Sequence, residues 1–255
     1  MEQQSTASRL RSYWRHILLG TIVIGSLALM LSQPPFGQDV HYHDFADRRG
    51  FFGLPNFFDV TSNVCFLFVG IAGLRLCLRS HLGHARRAWI VLFVGVACVS
   101  IGSAYYHWDP SNETLVWDRL PMTLGFMGFF AALLGEYVSH RLGAALLVPA
   151  LLLGLFSVLY WHWFDDLRLY VWVQFMPLLA VLALMILFRP TYSHQWLLLV
   201  ALAWYALAKV SEASDRPVFD LTRGLVSGHT VKHLLAALSC LTILWMLRRR
   251  KPLQA

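Results

Sequence analysis

Five residues of this 255-residue chain have the types and the spacing to act together chemically: Ser103, His107, Asp118, His229 and His233. In "GSAYYHW" the serine and the histidine are four apart, so on a helix they share a face one turn from each other. In "GHTVKHLL", His229 and His233 repeat that interval. Two histidines at i and i+4 turn two imidazoles toward one point, a spacing that holds metal ions. A third from another helix completes a three-nitrogen site. Zinc favours imidazole, and a catalytic zinc with three protein ligands keeps a fourth position for water. Asp118, in "WDRLP", is then a candidate base for that water. Ser103 is a candidate hydrogen-bond donor to an oxygen that gains charge. Against this stands the plainer reading that a histidine at a helix end faces interfacial water. Deciding between them requires the elements that carry the five.

Those elements are membrane spans. The chain is 57% hydrophobic and only 14% charged, where a soluble globular chain carries about 25% charge. Eight apolar runs, at 17–32, 57–78, 88–107, 119–138, 143–161, 169–188, 195–212 and 229–247, approach the ~20 residues that a span needs. The first is short and follows an arginine-bearing segment. "LMLSQPP" lacks an A-x-A cleavage pattern, so a retained anchor is expected rather than a removed signal. The sixth ends at Pro190, where a helix cannot continue.

Thirteen of the basic residues fall on one side of an eight-span arrangement: Arg9, Arg11, Arg15, Arg75, Arg79, Arg86, Arg87, Arg141, Arg189, Arg248, Arg249, Arg250 and Lys251. Six fall on the other: Arg48, Arg49, Arg119, Arg168, Arg216 and Arg223. Lys209 and Lys232 lie within or near spans. The excess predicts that both termini are cytoplasmic. The net charge of +7 is thus topological, and nucleic acid is not an expected partner. All four cysteines lie inside apolar runs and read as packing residues.

This topology, built from basic residues alone, places Ser103, His107, Asp118, His229 and His233 in one outer layer. Three histidines, a serine and an aspartate at one depth favour the metal site over separate interfacial residues. His41 and His43 in "HYHD" lie on the same side but in a loop, where solvated surface is expected. His162 is read as interfacial, and His81, His84 and His140 fall on the other side. Lys209 and Glu212, spaced i, i+3, are expected to form a structural ion pair. Asp59 and Asn63, one turn apart at the outer end of the second span, are read equally as packing residues or as hydrogen-bonding support for a metal ligand. "DPSNE", between His107 and Asp118, reads as a turn.

The residues that carry these readings resemble a known family. "SAYYH" on one helix, "WDRLP" at the start of the next and "HTVKH" on the last are similar to the S-x-x-x-H, aspartate and H-x-x-x-H pattern of the alkaline ceramidases. That family shares a superfamily with progestin/adiponectin-type receptors and haemolysin-III-like proteins. The interval from His107 to Asp118 and the stretch "FFDVTSNVCFL" also look like the ceramidases. The resemblance covers about 56–247, as seven spans. It implies a seven-transmembrane all-α bundle with one extra N-terminal transmembrane helix. It implies zinc held by His107, His229 and His233, with Asp118 as acid/base residue and Ser103 stabilising the tetrahedral oxygen. The reaction implied is hydrolysis of a ceramide-like amide to a sphingoid base and a fatty acid. Calcium is not carried over. Where calcium-binding members have an acidic cluster, "RRGFFGLPN" stands here, with Arg48, Arg49 and the neutral Asn56.

The expected organisation is therefore a first unit at 1–55 (cytoplasmic N-terminus, extra helix, outer loop), a membrane domain at 56–247 and a basic cytoplasmic tail at 248–255. The expected partners are the bilayer and a lipid substrate, with the active site on the periplasmic or lumenal side. A non-catalytic zinc-containing lipid receptor of the same superfamily remains open, because both branches carry the same motif residues. A bis-histidine haem protein or a transporter fits less well. The paired histidines share one helix, and no apolar run is broken at mid-membrane.

Overall fold

The computed structural model describes the backbone of residues 2–253 and the side chains of residues 13–253, and among them it has helices and turns but no strand. The order is α1 (Glu2–Leu31), a long irregular segment at 32–56, α2 (Phe57–Ser62), α3 (Val64–Arg79), α4 (Arg86–Trp108), α5 (Asn112–Tyr137), α6 (His140–Phe164), α7 (Arg168–Leu187), α8 (Leu197–Ala213), α9 (Asp215–Leu221) and α10 (Gly228–Arg249). Among the described residues seven helices are long and apolar enough to cross a membrane, and the bent pair α8–α9 makes an eighth. Large apolar side chains such as Ile101, Leu152 and Ile186 face outward. A patch of that extent needs lipid to cover it. The chain is an all-helical, multi-pass membrane protein.

Two runs differ from their sequence reading. The second is interrupted at Asn63, whose Nδ2 donates to the Asp59 carbonyl at 2.7 Å, so α2 and α3 are successive pieces of one span. The seventh is followed by an 83° bend at Ser214 into α9, an element that the hydropathy pattern does not contain. "DPSNE" is a turn only in its first half. Ser111 caps α5, its Oγ accepting from Thr114 N at 3.2 Å while Thr114 Oγ1 accepts from Ser111 N at 3.1 Å. The last two residues of that stretch are already helical.

α5 is the central helix, packed by α4, α6 and α7 and buried along most of its length. Pro121 lies inside it and has no N–H to offer the Trp117 carbonyl. At that carbonyl α4 comes closest. A Cβ on Gly102 would stand only 2.0 Å from Trp117 O, so only glycine permits the approach. Gly228, the first residue of α10, plays the same part against α8–α9. Its Cβ would lie 2.3 Å from Ser211 O and 2.7 Å from Asp215 Cα. These two close approaches fix the helix ends that carry Ser103 and His229.

The opposite end of the bundle is closed by a buried ion pair. Glu136 on α5 accepts from Arg250 Nη1 at 2.8 Å and from Trp89 Nε1 at 2.7 Å, and both charged side chains are 3% exposed. Beyond α10 the chain runs beside the α7–α8 loop, with Leu253 N donating to Thr191 O at 2.9–3.0 Å separation typical of a backbone bond (3.0 Å here).

Candidate metal centre

α4 delivers His107 from its last turn, and α10 delivers His229 and His233 from its first two. The three rings meet with centroids 4.7, 4.9 and 5.0 Å apart, each pair tilted edge to face. One nitrogen from each ring lies within 4.8 Å of the other two, and all three residues are buried. His107 Nε2 and His229 Nε2 stand 3.2 Å apart. His233 Nε2 is buried with no hydrogen-bond partner. A buried imidazole nitrogen without a partner is costly, and the three rings together make a group that could hold a metal ion. The Lys232 side chain sits 2.7 Å from His229 Nε2.

The start of α10 is tied down by two carboxylates. Asp215 Oδ1 accepts from His229 N at 2.7 Å, a favourable place for negative charge at a helix N-terminus. Asp59 Oδ1 accepts from Thr230 Oγ1 at 2.7 Å and from Ser227 Oγ at 3.3 Å. Asp59 thus supports the start of α10, Asn63 bonds back to the Asp59 carbonyl, and neither is bonded to a ring nitrogen. The residue that does touch a ring is Ser62, whose Oγ lies 2.7 Å from His233 Nδ1. That contact fixes which nitrogen of His233 is left for the centre.

Asp118 is on the first turns of α5, 6% exposed, with Ser103 (2% exposed) across the close α4–α5 contact. Asp118, Ser103 and His233 line one cavity of about 330 Å³. Its polar end also holds Arg119, Lys209, Glu212 and Lys232, and its far wall is apolar, with Phe66, Leu92, Val96 and Phe129. Lys209 and Glu212 do pair, but not in isolation. Glu212 Oε1 also accepts from Lys232 Nζ at 3.4 Å and from Tyr42 OH at 3.2 Å.

The segment at 32–56 roofs this end. Phe45 packs 4.8 Å from both His107 and His229. Asn56 Nδ2 donates to the His107 carbonyl at 2.8 Å, and Ala46 N to Asp215 Oδ2 at 2.8 Å. His43, read from sequence as solvated surface, is partly buried and bonded to Tyr106 OH at 2.9 Å and Asn112 Oδ1 at 3.1 Å. His41 is exposed, as expected. His162 reaches the exposed Glu113 at 3.6 Å, and neither it nor His41 nor His43 belongs to the centre.

Ser62 and Lys232 were within reach of sequence reasoning. Ser62 lies inside the polar "DVTSN", and Lys232 is three residues from His229 on the same helical face. Phe45, Tyr42 and Gln38 give no such signal, since they act from an aperiodic segment. Among curated proteins none matches the chain. Residues 54–249 match the family model described as Ceramidase.

Proposed function

The chain thus belongs to the ceramidase family, and from that premise we propose that it is a zinc-dependent amidohydrolase. It cleaves the amide of a ceramide-like lipid to a sphingoid base and a fatty acid within the membrane. The observation that carries the reading is the three-imidazole group of His107, His229 and His233, whose His233 lines the cavity that Asp118 and Ser103 share. Two nitrogens each about 2.0–2.1 Å from a tetrahedral zinc stand about 3.3 Å apart, and the 3.2 Å between His107 and His229 supports that fit. Zinc bound there supplies a Lewis acid that polarises the amide carbonyl and acidifies water.

The chain's own residues do the rest. Asp118 takes the proton from the attacking water as the new C–O bond forms. The same carboxyl returns a proton to the amide nitrogen as the C–N bond breaks, so the amine leaves neutral. Ser103 directs its O–H toward the carbonyl oxygen as charge develops there. The apolar wall holds acyl and sphingoid chains, and Phe45 and the roof keep bulk water from the reacting amide. The matched span supports a membrane domain close to the 56–247 expected from sequence, and the basic-residue asymmetry supports cytoplasmic termini.

The test is release of fatty acid from labelled ceramide by the purified protein in detergent, with metal content measured in parallel. Wild type is expected to carry about one zinc per chain and to hydrolyse the substrate. His229→Ala is expected to lose the metal, and Asp118→Asn to keep it and lose turnover. Wild type and Asp118→Asn behaving alike across sphingolipid amides would refute catalysis and favour the receptor reading.

A further inference from the structure

The proposed hydrolysis leaves Arg119 without a task, yet no other residue of the polar end is so elaborately held. Its guanidinium lies 4.0 Å from the ring centre of Trp161, 4.6 Å from Tyr170 and 5.8 Å from Tyr42. The side chain is 5% exposed. Nη2 donates to Gln38 Oε1 at 2.5 Å, while Nη1 has no hydrogen-bond partner. Elsewhere the well-buried arginines are paired, Arg250 with Glu136 and Arg168 with Asp166. Among the described residues no carboxylate stands within 4.0 Å of Arg119. A buried cation without a counter-ion is costly, and aromatic faces offset only part of that. An anion completes it.

The place of this group in the cavity says where the anion would belong. Arg119 follows Asp118 in sequence, and both side chains line the same cavity with Gln38 and Tyr42. The rings surround the guanidinium while Nη1 keeps N–H groups to offer, and an arginine N–H meets an oxyanion as a charge-assisted donor. Gln38 and Tyr42 precede the residues matched to the family, 54–249, so the subsite is partly built by the N-terminal addition.

We propose that Arg119, held by Gln38 and the three aromatic rings, is an oxyanion subsite of the lipid cavity, taking a carboxylate, sulfonate or phosphate beside the scissile amide. How the subsite is read out rests on the amidohydrolase assignment. The oxyanion has two sources, an anionic headgroup on the substrate or the carboxylate of the released acyl chain.

The experiment uses the full chain in detergent, with palmitoyl ceramide, palmitoyl ceramide phosphate, and palmitate as an inhibitor. With a headgroup source, Arg119→Gln lowers the kcat/KM ratio of ceramide phosphate to ceramide about tenfold or more. With a product source, that ratio holds, and the inhibition constant of palmitate against ceramide rises about tenfold or more. Either shift supports the subsite, and the absence of both overturns it. Because ratios are read, a general loss of activity does not mimic the effect. Should Arg119→Gln not fold, Arg119→Lys and Gln38→Ala are read the same way, with the lysine expected to recover only part of the shift. If wild type hydrolyses no lipid amide, the amidohydrolase assignment fails separately. The subsite is then tested by palmitate titration of the tryptophan fluorescence, which Trp161 reports. A wild-type response that Arg119→Gln loses supports the subsite, and equal responses overturn it.

Discussion

Gly102→Ala isolates the geometry on which the proposed catalysis depends. A Cβ at this position would stand 2.0 Å from Trp117 O, and the neighbouring Trp117 C would be 2.8 Å away. Both are backbone atoms of α5, so no side-chain rotation relieves the clash. A carbon–oxygen contact settles at about 3.3 Å or more. The helices must therefore part by roughly 1.3 Å at the level where Ser103 faces Asp118. Overpacking of this kind costs about 1–3 kcal/mol in stability. A misplacement of about 1 Å at a reacting centre costs on the order of 10²-fold in rate. His107, one turn beyond on α4, is tied separately to the roof by Asn56, so metal content is expected to fall far less than turnover. The assay is fatty-acid release from ceramide, with zinc content and the thermal midpoint measured on the same preparation. Gly135→Ala is the internal control, because its Cβ would meet only Ala85 Cβ at 3.7 Å and Gly143 Cα at 3.9 Å. There the methyl fits, and the helical gain of alanine over glycine is up to about 1 kcal/mol. Turnover by Gly102→Ala equal to that of Gly135→Ala would refute the claim that the α4–α5 contact sets the Ser103–Asp118 geometry.

Three further outcomes are expected. Ser62→Ala removes the contact to His233 Nδ1 and is expected to weaken metal binding about 10–100-fold, measured by competition with a chromogenic chelator; unchanged affinity would dismiss the orienting role. Glu136→Gln leaves Arg250 buried without its counter-charge, a loss of about 3–5 kcal/mol. It should appear as a lowered thermal midpoint that Glu136→Met with Arg250→Met largely restores. Asp166, in the α6–α7 loop, is held below its ordinary 3.8 by the hydrogen bonds from Arg168. A depressed carboxyl stabilises the fold above that value and stops doing so as pH falls through its folded pKa. The thermal midpoints of wild type and Asp166→Asn should therefore differ at pH 6, and the gap should narrow only as pH falls below 3.8; a gap already closed at pH 5 would contradict this.

Much of the fold was legible because hydropathy and basic-residue bias are one-dimensional signals. Span length follows from hydropathy without any knowledge of partners, and the bias adds an expected side. The histidine pair on α10 was legible for a similar reason, since i, i+4 spacing fixes a shared face. The bend at Ser214 was not, because α9 is short and carries Asp215, Arg216 and Asp220, so no apolar period announces it. The roof was also hidden. Gln38 reaches Arg119 across 81 residues and Tyr42 reaches Glu212 across 170. No local pattern encodes such contacts. Asp59 shows the limit from the other side. Its burial at the outer end of the second span was anticipated, but whether it would serve a ring or a helix terminus depended on where α10 begins.

The histidines come from α4 and from α10, with His107 and His229 122 positions apart. α10 follows the other described helices in sequence, and a ribosome delivers it after them. A nascent chain stalled after α9 holds the cavity walls, Asp118, Ser103 and the roof, yet only one of three imidazoles. Assembly of the three-nitrogen group thus waits on insertion of the final span, and no shorter product carries the full set. On the proposed function, metal acquisition would come late in biogenesis, and a partly inserted chain would be chemically silent toward the lipids around it.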